Sequence, residues 1–297
     1  MSRAWSISAG RTYGKARVCR IWGVSRSTYY ARQKQVVNRK RPGRPPLIPD
    51  DRLAEEIKAV LRHTESLGFH GEGYRKVWAR LRFKGIRTSK ERVRKLMQKH
   101  GLQAPHRTGR LRGPKVHDGT IIPMAPNIMW GTDATQVYTR IDGTVTVFVT
   151  VDHFVCDVVG IHAALKATRH EALEPIYQGI REQFGGLDKD VAKGLILRHD
   201  HGSQYMSHHF QDEIKFLGIS SSPSFIKSPE GNGVVERFIR TLKEQLLWVE
   251  NFDTAEDLRK ALLAFKRQYN QNWIIQRHGY LTPAKVRAQY QVMEKAA

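Results

Sequence analysis

Between positions 129 and 151 the chain reads Met129-Trp130-Gly131-Thr132-Asp133-Ala134-Thr135-Gln136-Val137-Tyr138, then Thr139-Arg140-Ile141-Asp142-Gly143, then Thr144-Val145-Thr146-Val147-Phe148-Val149-Thr150-Val151. Valine at 145, 147, 149 and 151 repeats with the two-residue period of a strand that turns one face to a core. Asp142-Gly143 is a tight-turn signal, because a hairpin turn needs residues that accept positive φ. The stretch predicts a hairpin with strands at 129–138 and 144–151. One carboxylate, Asp133, stands inside the otherwise uncharged first strand. An ionised group there is costly unless it is paired or holds a metal.

Working downstream, 155–163 predicts a third strand and 169–184 a helix. A short apolar strand at 195–197 runs into Arg198-His199-Asp200. A helix at 205–217, a strand at 219–223 and a long helix at 234–249 complete the region. The pattern is α/β (α+β): a mixed five-stranded sheet with helices on its faces.

Two further acids stand out in this frame. Asp200 ends a strand and is followed by Gly202-Ser203-Gln204-Tyr205; strand ends beside helix starts are where sites gather in such sheets. Glu236 lies near the start of the long helix. There Val235, Phe238, Leu242, Leu246 and Val249 form one apolar face, and Glu236, Arg240 and Lys243 form another. Each acid has an ordinary alternative, a hydrogen-bonded loop-end aspartate or a surface ion pair. Three carboxylates from separate elements are nevertheless the donor type that hard divalent cations need, and two such ions can activate an attacking oxygen and stabilise a leaving one. His199 and His201 flank Asp200 and raise a zinc reading, although His-x-His without nearby cysteine is a poor zinc set.

Upstream the texture changes. The formal net charge is +22; residues 1–118 hold 30 Lys/Arg against 8 Asp/Glu, whereas residues 119–297 hold 20 of each. All the excess lies in the first part of the chain, which implies a polyanionic partner for that part, nucleic acid above all. Residues 13–33 predict a helix-turn-helix: Cys19, Gly23 and Val24 allow two helices to approach. Ser25 caps the second helix, whose face presents Arg26, Ser27, Thr28 and Tyr30. Residues 39–46 form a stiff basic linker containing Arg44. Residues 51–102 carry three stretches with helical spacing, the last with Arg92, Arg94, Lys95 and Lys99 on a basic side and Gly101 at its C-terminal end. The two cysteines, Cys19 and Cys156, make neither a disulfide framework nor a metal cluster. No signal-peptide or membrane-spanning stretch is apparent, so a cytoplasmic, nucleoid-associated protein is expected.

Trp130-x-x-Asp133-x-Thr135, Asp200-His201-Gly202-Ser203-Gln204-Tyr205, and Glu236 with 35 residues between it and Asp200 together resemble the DDE signature of bacterial insertion-sequence transposases and retroviral integrases. The chain is most similar to OrfB-type transposases of the insertion-sequence-three family. His70-Gly71-Glu72-Gly73-Tyr74-Arg75-Lys76-Val77 with Val93-Arg94-Lys95-Leu96-Met97 resembles that family's helical segment. Tyr269-Asn270 and His278-Gly279-Tyr280-Leu281-Thr282-Pro283 resemble its tail.

The resemblance implies an RNase H-like core in which Asp133, Asp200 and Glu236 are catalytic and hold two Mg²⁺ or Mn²⁺ ions. It implies cleavage of a DNA strand by water and then strand transfer by the freed 3′-hydroxyl. The implied partners are double-stranded DNA (terminal inverted repeats and target), other copies of the chain, and an upstream-frame OrfA-type protein. Lys227, Arg237, Arg240 and Lys243 join the candidate DNA contacts. Where many members carry Asp-Asn-Ala, this chain has Glu230-Gly231-Asn232-Gly233, so Glu230 is a rival third acid; helix phase and spacing favour Glu236. The expected division is 1–38 helix-turn-helix, 39–50 linker, 51–120 second helical DNA-binding region, 121–250 catalytic core and 251–297 helical tail. The alternatives are a DNA-binding regulator with a non-catalytic core, and a nuclease of the same fold that cuts without joining.

Overall fold

The structure is a computed structural model that describes residues 3–33, 46–105, 123–224 and 232–296. Arg44, Lys227 and Glu230 lie outside the described residues, as do most of the basic linker and residues 106–122. The chain divides into two units, Met1–Pro49 and Asp50–Ala297.

In the first unit, strands β1 (Trp5–Ser6) and β2 (Arg11–Thr12) form a small antiparallel ribbon that the sequence reading did not contain. Helices α1 (Lys15–Ile21) and α2 (Arg26–Gln33) follow. The turn between them closes where Val24 N–H donates to the Cys19 carbonyl at 2.9 Å. Ser25 Oγ accepts from Thr28 N–H at 3.1 Å, the cap expected from the sequence.

The second unit opens with three helices, α3 (Asp50–Ser66), α4 (Tyr74–Phe83) and α5 (Lys90–Lys99). Ser89 Oγ caps α5 by accepting from Arg92 N–H. The predicted hairpin then forms as β3 (Met129–Thr139) and β4 (Gly143–Asp152), with Asp133 opposite Val149. Strand β5 (Val158–Ala164) starts three residues later than 155–163 predicts. The reason is local: Asp152 Oδ1 accepts from Phe154 and Val155 N–H at 2.8 Å each and curls 152–157 into a turn.

Helix α6 (Arg169–Phe184) matches its expected span. It crosses β5 closely enough that a Cβ on Gly160 would stand 1.7 Å from the Pro175 carbonyl oxygen. Strand β6 (Ile196–His199) leads to α7 (Ser203–Met206) and α8 (His208–Phe216), two helices where 205–217 predicts one. Ser207 is extended and caps α8 through its hydroxyl, which forces the break. Strand β7 (Ser220–Pro223) completes a sheet of order β5-β4-β3-β6-β7, antiparallel through β3–β5 and parallel at β6 and β7.

The predicted helix at 234–249 is also shorter. Helix α9 (Gly233–Leu242) passes into a π-turn at Lys243–Leu247. That wider turn rotates the chain, so Val249, expected on the apolar face, is 49% exposed. Helices α10 (Ala255–Asn272) and α11 (Pro283–Ala296) end the chain.

Each sheet face has its own apolar layer. Val145, Val147, Val149 and Val151 of β4 pack with Val235, Phe238 and Leu242 of α9 and with Leu258, Leu262 and Phe265 of α10. Trp130, Phe148 and Leu197 pack on the other face against Ile176 of α6 and Phe210 of α8. Phe69, from the loop before α4, belongs to the first of these layers. Gln245 in the π-turn also accepts from His70 N–H at 2.6 Å and donates to its carbonyl at 3.1 Å. Residues 50–105 therefore pack with the sheet as one unit.

Candidate active site

Strand pairing brings the two aspartates together. Parallel β3 and β6 place Met129 opposite Ile196, Trp130 opposite Leu197 and Gly131 opposite Arg198. Carried two residues further, the same offset sets Asp133 level with Asp200, just past the end of β6. Asp133 Oδ1 accepts from Ala134 N–H at 2.8 Å, and Asp200 Oδ1 accepts from Gly202 N–H at 2.8 Å. In each carboxylate one oxygen is held by an amide and the other accepts nothing among the described residues. Gly202 has to be small, since a Cβ there would lie 2.9 Å from Asp200 Oδ1.

Glu236 comes from across the core layer, in the first turn of α9. The start of α9 is held to β3 by Asn232, whose Nδ2 donates to the Thr132 carbonyl at 3.1 Å. Gly131 makes this approach possible. A Cβ at 131 would meet Asn232 Oδ1 at 2.5 Å, His153 Nε2 at 2.6 Å and Val235 Cγ2 at 2.6 Å. Because side chains alternate along a strand, Asp133 shares the face that Gly131 turns to α9.

The electrostatics follow from this geometry. Burial, and then the Asp200 charge, push the Asp133 carboxyl above its usual range, against the pull of the Ala134 amide and Lys243. Partial burial, and then the Asp133 charge, raise Glu236. Asp133 is thus the middle member, coupled to an acid on each side. Like-charged carboxylates in a partly dry site raise one another in this way until a cation joins them. Among the described residues no three His, Cys, Asp or Glu side chains close around one point that could hold an ion. The structure gives a pairwise arrangement whose all-oxygen donors, with a spare Oδ2 on each aspartate, suit a hard cation.

The histidines beside Asp200 are engaged elsewhere. His199 is buried; its Nδ1–H donates to the Asp200 carbonyl at 2.7 Å, and its Nε2 accepts from the Ser221 hydroxyl at 2.9 Å. His201 Nε2 donates to the Ser224 carbonyl at 2.7 Å. With both ring nitrogens of His199 occupied, the pair does not form a zinc site. Burial first, and then the neighbouring Arg198, depress His153 to about 4, so it is neutral against Gly131 at physiological pH.

The candidate DNA contacts fall in varied settings. Arg26, Ser27, Thr28 and Tyr30 lie on α2 of the first unit. Ser27 and Thr28 hydroxyls hydrogen-bond Ser25 Oγ, and Tyr30 lies under Lys15 Nζ at 5.3 Å. On α5, Arg92 binds Asp50 at 2.8 and 2.6 Å and Arg94 binds Glu91 at 2.9 and 2.6 Å, while Lys95 is exposed. On α9, Arg240 pairs with Glu244 at 3.0 Å and Arg237 is exposed. Half-buried Lys243 directs its charge at Asp133.

Asn232, His153 and Arg198, which surround Gly131 behind the acids, were not among the residues singled out from sequence. Gly131 itself carried the signal: a glycine inside a strand marks a close approach of another backbone or side chain.

Two family models match this chain. Residues 49–110 match the family described as an HTH-like domain, and residues 217–283 match the integrase core domain. The transposase for insertion sequence element IS904 of Lactococcus lactis is 29% identical over 227 residues, covering 73% of this chain and 85% of that protein. The transposase for insertion sequence element IS629 of Shigella sonnei is 26% identical over 293 residues, covering 94% and 93%. The chain is similar to these insertion-sequence transposases over most of its length. Among solved structures, the catalytic core domain of BIV integrase aligns with a TM-score of 0.41 and 21% identity, over 57% of this chain and 99% of that one. The integrase-core match includes Glu236 and α10, whereas Asp133 and Asp200 precede it.

Proposed function

We propose that this chain is a DNA transposase that cuts a strand at the end of an insertion sequence and joins the freed end to new DNA. The carrying observation is pairwise: Asp133 of β3 stands level with Asp200 past the end of β6, and the Asp133 charge is felt by Glu236 of α9 as well. The HTH-like and integrase-core matches and the named relatives support the same reading.

In this reading Asp133, Asp200 and Glu236 are the residues that would hold two Mg²⁺ or Mn²⁺ ions, which would favour deprotonation of the attacking group and offset charge on the leaving one. In the first step a water oxygen bonds to phosphorus and the bond from phosphorus to the 3′-oxygen breaks, leaving a 3′-hydroxyl and a 5′-phosphate. In the second, that 3′-hydroxyl attacks a target phosphorus, and the target's own 3′-oxygen leaves. Asn232 and Gly131 keep Glu236 in register with Asp133, and Lys243 offers a positive charge to a bound phosphate. Two transposon ends have to be held at once, so the chain works on DNA as a homo-oligomer, and an OrfA-type upstream protein is a partner. The place of action is the cytoplasm, at the nucleoid.

The test is incubation of the full chain with Mg²⁺ and a labelled duplex carrying the element's end, next to Glu236→Gln and Asp200→Asn. Nicked and joined products from wild type, absent in both variants at unchanged DNA affinity, are expected. Wild-type nicking without joined products would replace the reading with a nuclease. Binding with no cleavage, with or without an OrfA-type partner, would replace it with a regulator.

A further inference from the structure

The helical segment carries its positive charge unevenly once its ion pairs are followed. Residues 67–105 contain eleven Lys/Arg and two Asp/Glu. Both acids are engaged within the segment. Buried Glu72 receives two 2.7 Å hydrogen bonds from Arg80, and Glu91 receives two from Arg94. Arg92 is taken by Asp50 of α3. Of the basic side of α5 that the sequence offers to DNA, the two arginines are therefore paired, while Lys95 and Lys99 stay exposed.

The densest group of unpaired charge lies at the turn between α4 and α5. Arg82, Lys84, Arg87 and Lys90 are all exposed there, and none has an acidic partner among the described residues. Two of them rest on one ring: the Arg82 guanidinium lies 5.1 Å and Lys90 Nζ 4.4 Å from the centre of Trp78. Such contacts restrain long side chains while leaving their charge to solvent. Trp78 is itself fixed. Its Nε1–H donates to the Thr88 carbonyl at 2.9 Å, and its ring meets the edge of Tyr280 at 5.9 Å. Ala79 packs with Ile274 and Tyr280, and Arg80 reaches the Asn272 carbonyl at 3.2 Å. The turn is anchored to the tail of the unit that bears the three acids, not carried on a swinging module.

We propose that the α4–α5 turn is a phosphate grip: Arg82, Lys84, Arg87 and Lys90 hold the backbone of duplex DNA, with Trp78 as the platform that aims two of them. Because the turn is packed into the catalytic unit, DNA held there is held in fixed registration with Asp133, Asp200 and Glu236. The proposal deepens the transposase reading and rests on it for the nature of the DNA.

The experiment is fluorescence-anisotropy titration of labelled end duplex with the full chain at several salt concentrations. Wild type is compared with Arg82→Gln/Lys84→Gln/Arg87→Gln/Lys90→Gln and with Arg92→Gln/Arg94→Gln. Each phosphate contact contributes about 0.9 to the slope of log affinity against log salt. The fourfold variant should flatten that slope by up to about 3.6 and weaken binding at least about tenfold near 0.1 M salt, at unchanged circular dichroism. The double variant should change the slope by less than about 1. An unchanged slope in the fourfold variant, with wild type still nicking the duplex, overturns the grip alone. Wild type that neither binds nor nicks the duplex overturns the transposase reading and the grip with it.

Discussion

Gly131→Ala tests whether the contact between β3 and α9 assembles the candidate site. The added methyl would stand 2.5 Å from Asn232 Oδ1, 2.6 Å from His153 Nε2 and 2.6 Å from Val235 Cγ2. Carbon does not approach neighbours so closely, so the start of α9 has to retreat from β3 by on the order of 1 Å. Overpacking of this kind costs about 1–3 kcal/mol. Weakening the Asn232–Thr132 hydrogen bond adds about 1 kcal/mol. The larger effect is on rate, because α9 carries Glu236: a displacement of about 1 Å between reacting groups can cost roughly 100-fold. The assay pairs urea unfolding with initial rates of Mg²⁺-dependent nicking under saturating DNA. The expected result is a folded protein destabilised by about 2–4 kcal/mol, with a rate loss of about two orders of magnitude and DNA affinity close to wild type. Nicking at the wild-type rate would refute the claim that this contact sets the geometry of the acids.

Three further outcomes follow from the same structure. The folded-state carboxyl of Asp133 is raised, so at neutral pH its ionised form opposes folding, and that penalty is relieved as pH falls through the raised value. Asp133→Asn should therefore raise the melting temperature at pH 7 without metal while abolishing nicking. Mg²⁺ at ten times its Kd should stabilise wild type by roughly 1.4 kcal/mol and the variant by less, as read by calorimetry. Arg287→Met would strand two buried carboxylates: Arg287 holds Asp157 at 2.7 and 2.9 Å and Asp152 at 3.5 Å, and its loss should cost about 3–5 kcal/mol in denaturant unfolding. Gly160→Ala drives a methyl into the Pro175 carbonyl, which is rigid backbone, so a loss of at least about 3 kcal/mol or an insoluble product is expected; wild-type stability would mean that α6 and β5 are less closely packed.

Much of the core was legible because it rests on short-range patterns. Alternating valines and Asp142-Gly143 gave the hairpin, and the isolated carboxylate in a strand pointed to Asp133 before any partner was known. The errors also have local causes. An aspartate-centred turn at Asp152 delayed β5, an extended serine at 207 split one helix into two, and a π-turn diverted the chain after Leu242. Each depends on a few hydrogen bonds that leave no periodic trace in sequence.

The sequence by itself determined the strands and most helices of the sheet and marked three acids as candidates, because burial pattern and charge scarcity are properties of residues in order along the chain. Only tertiary structure decided that Asp133 and Asp200 stand level across parallel strands, that Asn232 and Gly131 bring the start of α9, which carries Glu236, against β3, and that Arg92 is held by Asp50 while the α4–α5 turn keeps its charge. Strand register and ion pairing join residues far apart in the chain. Distance across space, which decides electrostatic coupling, is not written in distance along the sequence.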